Sequence, residues 1–383
     1  MKKSILVLVL SDLRRDARVR RQIQALQHTY TVTVVCFNGD SSPDYELITI
    51  PPTKLTFFRK AVASIFLLLR LFSIAHRILH DYHHLLTRQL ARRNFDLIIA
   101  NDVETLPLAF SFPGNPKVIF DAHEYAPRHF EDKVMWRIFF QAFNTWLCRK
   151  YIPLTSGMMT VGKGLAREYK KHFGVDPVVV MNANNYADLQ PSEIPADKIR
   201  LVHVGIATPS RQLELMINMM PFLDDRFTLD LFLLTPGFAS KKTRGYIDDL
   251  KQVSERFSTV RILPPIKGTE VVKTINQYDM GVFLLPPVNF NYENTLPNKL
   301  FDFIQARLAI AVGPTPEMAE IVKRYNLGVV SEDFSPESLA KKIQQLTRED
   351  ILTFKINSGV AAKDLNAEKN AVIIQNLVSG ILV

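Results

Sequence analysis

Short apolar runs alternate with amphipathic helical segments along the chain, and the alternation occurs twice. In the first half, helical spacing is clearest at Asp16–His28, and the apolar runs are Ser4–Leu10, Thr31–Phe37, Asp96–Ala100, Lys117–Asp121, Met158–Val161 and Val178–Met181. In the second half the apolar runs are Leu201–Val204, Phe227–Leu234, Val260–Leu263, Met280–Leu284 and Ala309–Val312. Strands separated by helices in this way are typical of parallel sheets. The sequence therefore predicts an α/β fold with two doubly wound, Rossmann-like domains.

The polar segment Asn182–Lys198, which contains Pro191 and Pro195, is interpreted as the linker between the domains. We predict an N-terminal domain over residues 1–185 and a C-terminal domain over residues 186–365. The amphipathic end of the chain, within residues 366–383, is a helix that could pack on either domain. Ligands of doubly wound sheets bind beyond the carboxyl ends of the strands, so we expect the functional residues there, in a central cleft that the domains face.

Composition and charge narrow the class of protein. Of the 383 residues, 47% are hydrophobic and 22% are charged, which is typical of a globular protein and excludes a disordered chain or a bare coiled coil. The sequence contains only two cysteines, Cys36 and Cys148, so a disulfide scaffold and a multi-cysteine zinc site are excluded. The net charge of +9 favours an anionic partner, such as a phosphate ligand, a nucleotide sugar, a nucleic acid or an anionic lipid surface.

Common phosphate-binding and catalytic motifs are missing from the sequence, which has no GxGxxG, no HExxH and no GxSxG. Gly157–Lys163 comes close to a P-loop, but Gly164 stands where that loop needs a magnesium-binding Ser or Thr. The sequence therefore disfavours a P-loop ATPase and a dinucleotide-dependent dehydrogenase, and it indicates no metal site.

The apolar stretch 57–86 could be mistaken for a membrane span. Its longest uncharged piece, Ala61–Leu69, is far shorter than the ~20 residues that a spanning helix needs. At helical spacing it carries a basic stripe broken by one aromatic residue: Arg59, Phe66, Arg70, Ser73, Arg77, His80 and His84. The stretch is either a helix lying on an anionic membrane or a core helix with its basic edge in water. We expect a cytoplasmic protein, either free or peripheral on the inner face of the cytoplasmic membrane.

The segment from Tyr292 to Ile304 is the most informative part of the sequence. Pro297 precedes a predicted helix, and Asn298 and Lys299 fall in its first turn, where free N–H groups and a lysine charge suit a diphosphate. Asp302 lies one turn further on, where its carboxylate could accept hydrogen bonds from two ribose hydroxyls. The alternative is a capped helix whose charged side chains are only solvated.

The string LPNKLFDF resembles the donor-binding segment of the GT-B glycosyltransferases, in particular the retaining enzymes of glycosyltransferase family 4. Upstream, Lys267–Pro287 and His203-Val204-Gly205 resemble other parts of the second domain of these enzymes. In the first half, Asp16–Val19 resembles the helix after the first strand, and Phe120–Glu124 resembles the DxHE segment of bacterial cell-surface polysaccharide members. The resemblance extends from about residue 4 to about residue 345, and it implies a GT-B fold.

The resemblance implies a set of donor-binding residues. Asp302, commonly Glu in the family, would bind the nucleotide ribose, together with Gly205 and Asn298 as neighbouring nucleotide contacts. Donor-sugar contacts fall to Glu293 and Asn294, although Asn294 stands where the E-x7-E pattern of the family has its first acid.

Three residues are assigned to catalysis by the same resemblance. Arg211 and Lys299 would hold the donor diphosphate and stabilise the charge that builds on it as it departs. His123 would contact the donor sugar or the reacting phosphate, and its alternative role is to order its own loop.

Acceptor binding is assigned to the turn after the first strand, and to side chains that follow the strands of the first domain. The candidates are Arg14, Arg15, Asp16, Arg18, Asp102 and Glu124. The arginines could grip a phosphate or an acidic sugar through two hydrogen bonds. Alternatively, they cap the sheet or pair with Asp12 and Asp16, and Asp102, Glu104 and Glu124 have structural roles.

The resemblance implies transfer of a sugar, with retention, from a nucleotide-diphosphate donor to a glycan or lipid-linked acceptor in capsule, lipopolysaccharide or exopolysaccharide synthesis. It implies no cofactor and no metal, since cations and a helix terminus would hold the diphosphate. A GT-B-type nucleotide-sugar epimerase is the first alternative. A basic nucleic-acid-binding protein is the second, although the sequence has no helix-turn-helix and no aromatic platform.

Overall fold

The computed structural model describes residues 2–52, 55–82, 86, 90, 93–235 and 241–383. The chain forms two compact units. The first unit comprises Met1–Met181, Asn289–Asn291 and Glu368–Val383, and the second comprises Asn182–Val288 and Tyr292–Ala367. The sequence left open which domain the last helix packs on, and this helix belongs to the first unit.

The first unit is built on a parallel sheet of seven strands in the order β3-β2-β1-β4-β5-β6-β7. The strands are β1 Ser4–Leu8, β2 Thr31–Cys36, β3 Glu46–Thr49, β4 Leu97–Asn101, β5 Lys117–Ala122, β6 Gly157–Thr160 and β7 Val178–Val179. Its helices are α1 Ala17–Leu26, α2 Phe57–Leu68, α3 Phe72–Leu79, α4 Leu106–Ala109, α5 Val134–Trp136, α6 Ala142–Tyr151 and α7 Lys163–Phe173. A π-helical turn, Arg137–Gln141, joins α5 to α6. The expected doubly wound topology is therefore present in this unit.

The second unit has a parallel sheet of six strands in the order β10-β9-β8-β11-β12-β13. The strands are β8 Ile199–Ile206, β9 Phe227–Leu234, β10 Val260–Leu263, β11 Met280–Phe283, β12 Ala309–Val312 and β13 Gly328–Val330. The helices that follow in the chain are α8 Glu214–Asn218, α9 Lys241–Ser254, α10 Val271–Ile275, α11 Phe290–Glu293, α12 Asn298–Gln305, α13 Pro316–Arg324, α14 Pro336–Gln344, α15 Arg348–Asp364 and α16 Ala367–Leu382. The first two residues of α11, and all but the first of α16, are grouped with the first unit.

The first sheet is covered on both faces, which explains why its strands are continuous apolar runs. Successive side chains of a strand point to opposite faces, and in β1 they enter two different cores. Leu6 and Leu8 pack into the core that includes Phe72 and Leu106. Ile5 and Val7 pack into the core on the other face, where α1 and α16 contribute Val19, Ile23, Ile374 and Val378.

The prediction of one helical stripe over 57–86 is wrong. The chain forms two helices, because Arg70 adopts a left-handed backbone conformation, with φ at 57°, between α2 and α3. Arg59 therefore lies on α2 and Arg77 on α3, whereas Arg70 lies between the two helices and His80 directly follows α3. His84 lies outside the described residues. Within the described ranges, no helix combines the length and apolar character that a bilayer crossing requires.

Candidate functional site

In the first unit, the strand order reverses at β1, whose neighbours are β2 and β4. Ligands of such sheets bind at this switch point, beyond the carboxyl ends of the strands. The candidate site therefore includes Asn101 and Asp102 at the end of β4, and Asp121 and His123 at the end of β5.

Arg18 of α1 lies buried against Asp121 in a two-pronged ion pair. Its Nε and Nη2 atoms donate to the two carboxylate oxygens over 3.0 and 2.6 Å, and its Nη1 donates to the Val180 carbonyl over 2.6 Å. The amide of Gln22, one turn further along α1, also donates to Asp121. Burial raises the pKa of Asp121, but the charges of Arg18 and His123 lower it by more, so the carboxyl pKa lies below its ordinary value. Asp121 is thus a carboxylate at neutral pH.

His123 is held by side chains at the carboxyl ends of β4 and β5. Its Nε2 lies 3.2 Å from Asn101 Oδ1 and 3.7 Å from Asp121 Oδ2, and its Nδ1 lies 3.4 Å from Asp102 Oδ2. Burial lowers the pKa of the ring, but Asp102 and Asp121 raise it by more, to about 9. The ring is therefore an imidazolium at neutral pH, and 20% of its side chain is exposed, so it can stabilise a negative charge on a reacting group.

Asp102 has a backbone conformation that non-glycine residues rarely adopt, with φ at 65° and ψ at 155°. Two hydrogen bonds hold this conformation. The Asp102 N–H donates to the Asp121 carbonyl over 3.0 Å, and the Thr105 hydroxyl donates to the Asp102 carbonyl over 2.7 Å. Strain of this kind costs about 1–3 kcal/mol and occurs preferentially at functional sites. At Asp102 it places a carboxylate oxygen beside His123.

Glu104 and Glu124 complete the acidic surroundings of this end of the sheet. Glu124 forms an ion pair with His129 over 2.8 Å. Burial and the charge of Asp102 raise the pKa of Glu104 to about 7. The Glu104 carboxyl can therefore exchange a proton near neutral pH. The backbone carbonyl of the same residue forms a separate hydrogen bond with His76 of α3.

Structural partners hold most of the residues assigned to acceptor binding in the turn after β1. Asp16 caps α1 by accepting the Val19 N–H over 3.1 Å. Arg14 forms an exposed pair with Asp12, to which its Nε and Nη2 donate over 3.1 and 3.0 Å. Arg15 is exposed. The roles of this turn, and of Asp102 and Glu124, in acceptor binding stay predictions.

The second unit brings Lys299 of α12 to the carboxyl end of β8, beside the switch point between β8 and β11. Its Nζ lies 3.2 Å from His203 Nε2 and 3.8 Å from the centroid of the Phe283 ring. Gly205 makes room for the ammonium, because a Cβ at that position would lie 2.7 Å from Nζ. The glycine of β8 and the lysine of α12 are therefore parts of one local arrangement.

Burial lowers the pKa of Lys299 well below its ordinary value, and the charge of Arg211 lowers it further, while Asp302 acts in the opposite direction. His203 is neutral, since burial also lowers its pKa. Its Nδ1 donates to the Val282 carbonyl over 2.9 Å, so Nε2 presents a lone pair to Lys299. An anion that reached Lys299 and Arg211 would relieve the repulsion between these two cations.

The other predicted donor residues lie on the same segment or close to it in the fold. Asp302 is half-buried and accepts a hydrogen bond from the Asn184 amide. Asn298, at the start of α12, is exposed, as is Glu293, whereas Asn294 is buried. Their contacts with a nucleotide or a sugar stay predictions.

Sequence reasoning did not assign His203 or Asn101 to the site. The signal for His203 was its position two residues before Gly205, in a string that resembles part of the second domain of the family. Asn101 directly follows the predicted strand Asp96–Ala100, which placed it at the expected edge of the sheet. Within the described ranges, no cluster of three or more His, Cys, Asp or Glu side chains could hold a metal ion.

Comparisons with known proteins agree with this topology. Residues 17–183 match the family described as Glycosyltransferase Family 4. No curated protein sequence matches the chain. Among solved structures, the sucrose-phosphate synthase of Thermosynechococcus elongatus has a TM-score of 0.77 at 13% identity, with 99% of each chain covered. WaaG, a glycosyltransferase involved in lipopolysaccharide biosynthesis, has a TM-score of 0.65 at 16% identity, with 97% of this chain and 99% of WaaG covered.

A third solved structure, Anabaena Alr3699/HepE in complex with UDP and glucose, has a TM-score of 0.68 at 14% identity and covers 99% of this chain and 100% of its own. The fold is that of the GT-B glycosyltransferases, with two Rossmann-like units. The family match over residues 17–183 lies mostly in the first unit and agrees with this fold.

Proposed function

We propose that the protein transfers a sugar from a nucleotide-diphosphate donor, with retention of configuration, to a glycan or lipid-linked acceptor in cell-surface polysaccharide synthesis. The WaaG and HepE structures support this proposal, since the first is described as acting in lipopolysaccharide biosynthesis and the second contains UDP and glucose. In this reaction the diphosphate is the leaving group, so the decisive requirement is a fixed positive charge beside it.

One observation carries the donor assignment. Lys299 is buried beneath Gly205 with a neutral histidine as its polar partner, and the charge of Arg211 acts on it. A buried ammonium group close to a second cation is unfavourable unless an anion binds there when the protein functions. A diphosphate supplies that anion, and the first turn of α12 supplies backbone N–H groups beside it.

The proposed catalytic step needs little covalent chemistry from the protein. Lys299 and Arg211 stabilise the departing diphosphate, and a donor phosphate oxygen takes the acceptor proton as the new glycosidic bond forms. His123, as an imidazolium, stabilises negative charge on the reacting groups. We propose that the reaction is metal-independent, so activity in excess EDTA should equal activity in Mg²⁺, and a strict Mg²⁺ requirement would contradict this part.

A membrane location for this reaction is supported by a group of exposed apolar side chains in the first unit, here named the apolar face. It lies on α2, α3, the residues between them, α5 and the π-helical turn, and consists of Phe57, Phe58, Ile65, Leu68, Leu69, Leu71, Ile74, Val134, Met135 and Ile138. Phe57 and Phe58 are 88% and 75% exposed, which is unfavourable in water. Residues 55–80 contain no acidic residue and four cations, Arg59, Lys60, Arg70 and Arg77. These features suit an anionic bilayer surface.

Donor binding is tested by the melting temperature of the protein with UDP-, GDP-, ADP- and dTDP-sugars. A ligand that binds only the folded state raises the melting temperature as its concentration exceeds its Kd. We expect one nucleotide class to do so, and Lys299→Met and Arg211→Met to abolish the shift. The control is Arg256→Met, which removes an exposed cation of the same unit and should preserve the shift. No shift with any donor at millimolar concentration would contradict the proposal.

Transfer is tested by incubating the donor so identified with lipid-linked and soluble glycan acceptors, and by reading the anomeric configuration of the product by NMR. Donor conversion without an acceptor would instead favour an epimerase.

Membrane docking is tested separately by flotation with anionic vesicles. The double variant Phe57→Ser, Phe58→Ser should lose flotation, whereas Val372→Ser, at a 51% exposed position on α16, should retain it. Flotation of the double variant at the wild-type level would refute docking through the apolar face.

A further inference from the structure

A cavity of about 370 Å³ lies in the first unit among α3, α4 and α6, and none of the residues predicted for donor, acceptor or catalysis lines it. Its volume is within the range of small-molecule sites in proteins. The polar and aromatic side chains of its lining include Ser73, His76, Arg77, Trp146, Lys150 and Tyr151. The cavity is therefore a candidate second site, and the charges around it indicate its ligand.

Two cations, Arg77 and Lys150, stand at the cavity, and both are exposed residues. Asp81 is the one carboxylate that lines the cavity among the described residues, and it is already held by Arg59 of α2 over 3.0 Å. Neither Arg77 nor Lys150 forms an ion pair with any residue that the structure describes. The pair Asp81–Arg59 is neutral as a unit, so the cavity carries a net positive charge and favours an anion.

The wall of the cavity keeps Lys150 available for an anion. Its Nζ lies 4.9 Å from the Trp146 ring centroid and 5.0 Å from that of Tyr151, so π faces rather than a carboxylate hold the ammonium. Such contacts at exposed sites are weaker than a charge-assisted hydrogen bond to a phosphate. His76 adds no competing acid, and burial lowers its pKa, so it stays neutral near pH 7.

The same helix connects the cavity to the apolar face. α3 carries Ser73, His76 and Arg77 into the lining, while Ile74 of that helix is 44% exposed. Beyond Tyr151, Leu154 is 61% exposed. We propose that this cavity binds the phosphate of a lipid phosphate ester, whose apolar chain lies along the apolar face. The inference is independent of the donor and of sugar transfer, and adds a second ligand site to the enzyme.

The position of Trp146 in the cavity wall provides a direct test. The sequence has two tryptophans, so Trp136→Phe leaves Trp146 as the single fluorescent reporter. In this background the probe is dihexanoyl phosphatidic acid below its critical micelle concentration. We expect a saturable change in Trp146 emission, because phosphate binding draws Lys150 away from the ring. Arg77→Gln and Lys150→Gln should each weaken binding about tenfold, as expected for the loss of one charged hydrogen bond.

Three controls make the outcome decisive. Arg70→Gln removes an exposed cation of the same region that does not line the cavity, and it should leave the affinity unchanged. Dihexanoyl phosphatidylcholine, with the same chains and no phosphomonoester, should bind at least tenfold more weakly. Glycerol 3-phosphate, which has no acyl chain, should also bind more weakly than dihexanoyl phosphatidic acid. Equal affinity for these two compounds would assign the cavity to a soluble phosphate ester and overturn the lipid assignment. Absence of saturation, or equal loss in Arg70→Gln and Arg77→Gln, would overturn the site itself.

Discussion

Arg14 and Arg18 offer a comparison of the same residue type, four positions apart, in two environments. Each is paired with an aspartate, but the Arg18 and Asp121 side chains are only 9% and 2% exposed, whereas those of Arg14 and Asp12 are 48% and 28% exposed. Removing one partner of a buried pair leaves an uncompensated charge and costs about 3–5 kcal/mol. Removing one partner of an exposed pair costs about 0–1 kcal/mol. We therefore expect Arg18→Met to destabilise the first unit far more than Arg14→Met.

Urea unfolding followed by tryptophan fluorescence measures this difference, because both tryptophans, Trp136 and Trp146, lie in the first unit. With an m-value of about 3 kcal/mol/M, the expected cost for Arg18→Met corresponds to a fall in the midpoint of about 1–1.7 M. The corresponding fall for Arg14→Met should be below about 0.3 M.

The pH dependence of the cost checks its cause. In Arg18→Met the buried Asp121 carboxylate has lost its guanidinium, so protonation of the carboxyl should relieve part of the penalty. The cost should therefore be smaller at pH 5 than at pH 8. Equal midpoints for the two variants, or a cost in Arg18→Met that does not change with pH, would refute the electrostatic reasoning.

Three further predictions concern the two sites. The folded pKa of His123, about 9, is above the ordinary value of 6.5, so the stability that the protonated ring gives the fold is complete below pH 6.5 and is lost as pH rises through 9. Relative to His123→Gln, the unfolding free energy of the first unit should fall by on the order of 3 kcal/mol over this window. Parallel curves of unfolding free energy against pH for the two proteins would contradict this prediction. Gly205→Ala would place a Cβ 2.7 Å from Lys299 Nζ and should weaken donor binding at least tenfold by calorimetry, unlike Gly268→Ala, whose added Cβ meets open space. Asp302→Ala should weaken donor affinity about 10–100-fold by the same method, since a charged acceptor is lost, and unchanged affinity would remove Asp302 from the nucleotide site.

The strands illustrate what periodicity can predict. Phe227–Leu234 and Val260–Leu263 have the predicted bounds, because each is a short run in which apolar residues predominate. The edge strand Glu46–Thr49 was missed, since it is half exposed and its short run has no buried face to mark it. The break at Arg70 carries neither glycine nor proline, so no local signal marked the end of α2.

For the candidate sites too, the sequence predicted some features and not others. The sequence placed Asp121 at the end of a strand, His123 just past that strand, and Lys299 at the start of a helix, because these positions depend on local order along the chain. It could not identify their partners from distant parts of the chain. Arg18 and Asp121 are 103 residues apart, and His203 and Lys299 are 96 residues apart. The exposed or buried environment that sets the pKa of each group arises only when distant strands pair.

Local sequence thus determined the two α/β halves and the edges of the sheets where chemistry belongs, because hydrophobic period and strand ends are properties of neighbouring residues. Tertiary structure alone decided which arginine is buried, which histidine is charged and which side chains surround Lys299. These depend on burial and on charges brought together from separate parts of the chain, and electrostatic energy depends on distance in space rather than along the sequence.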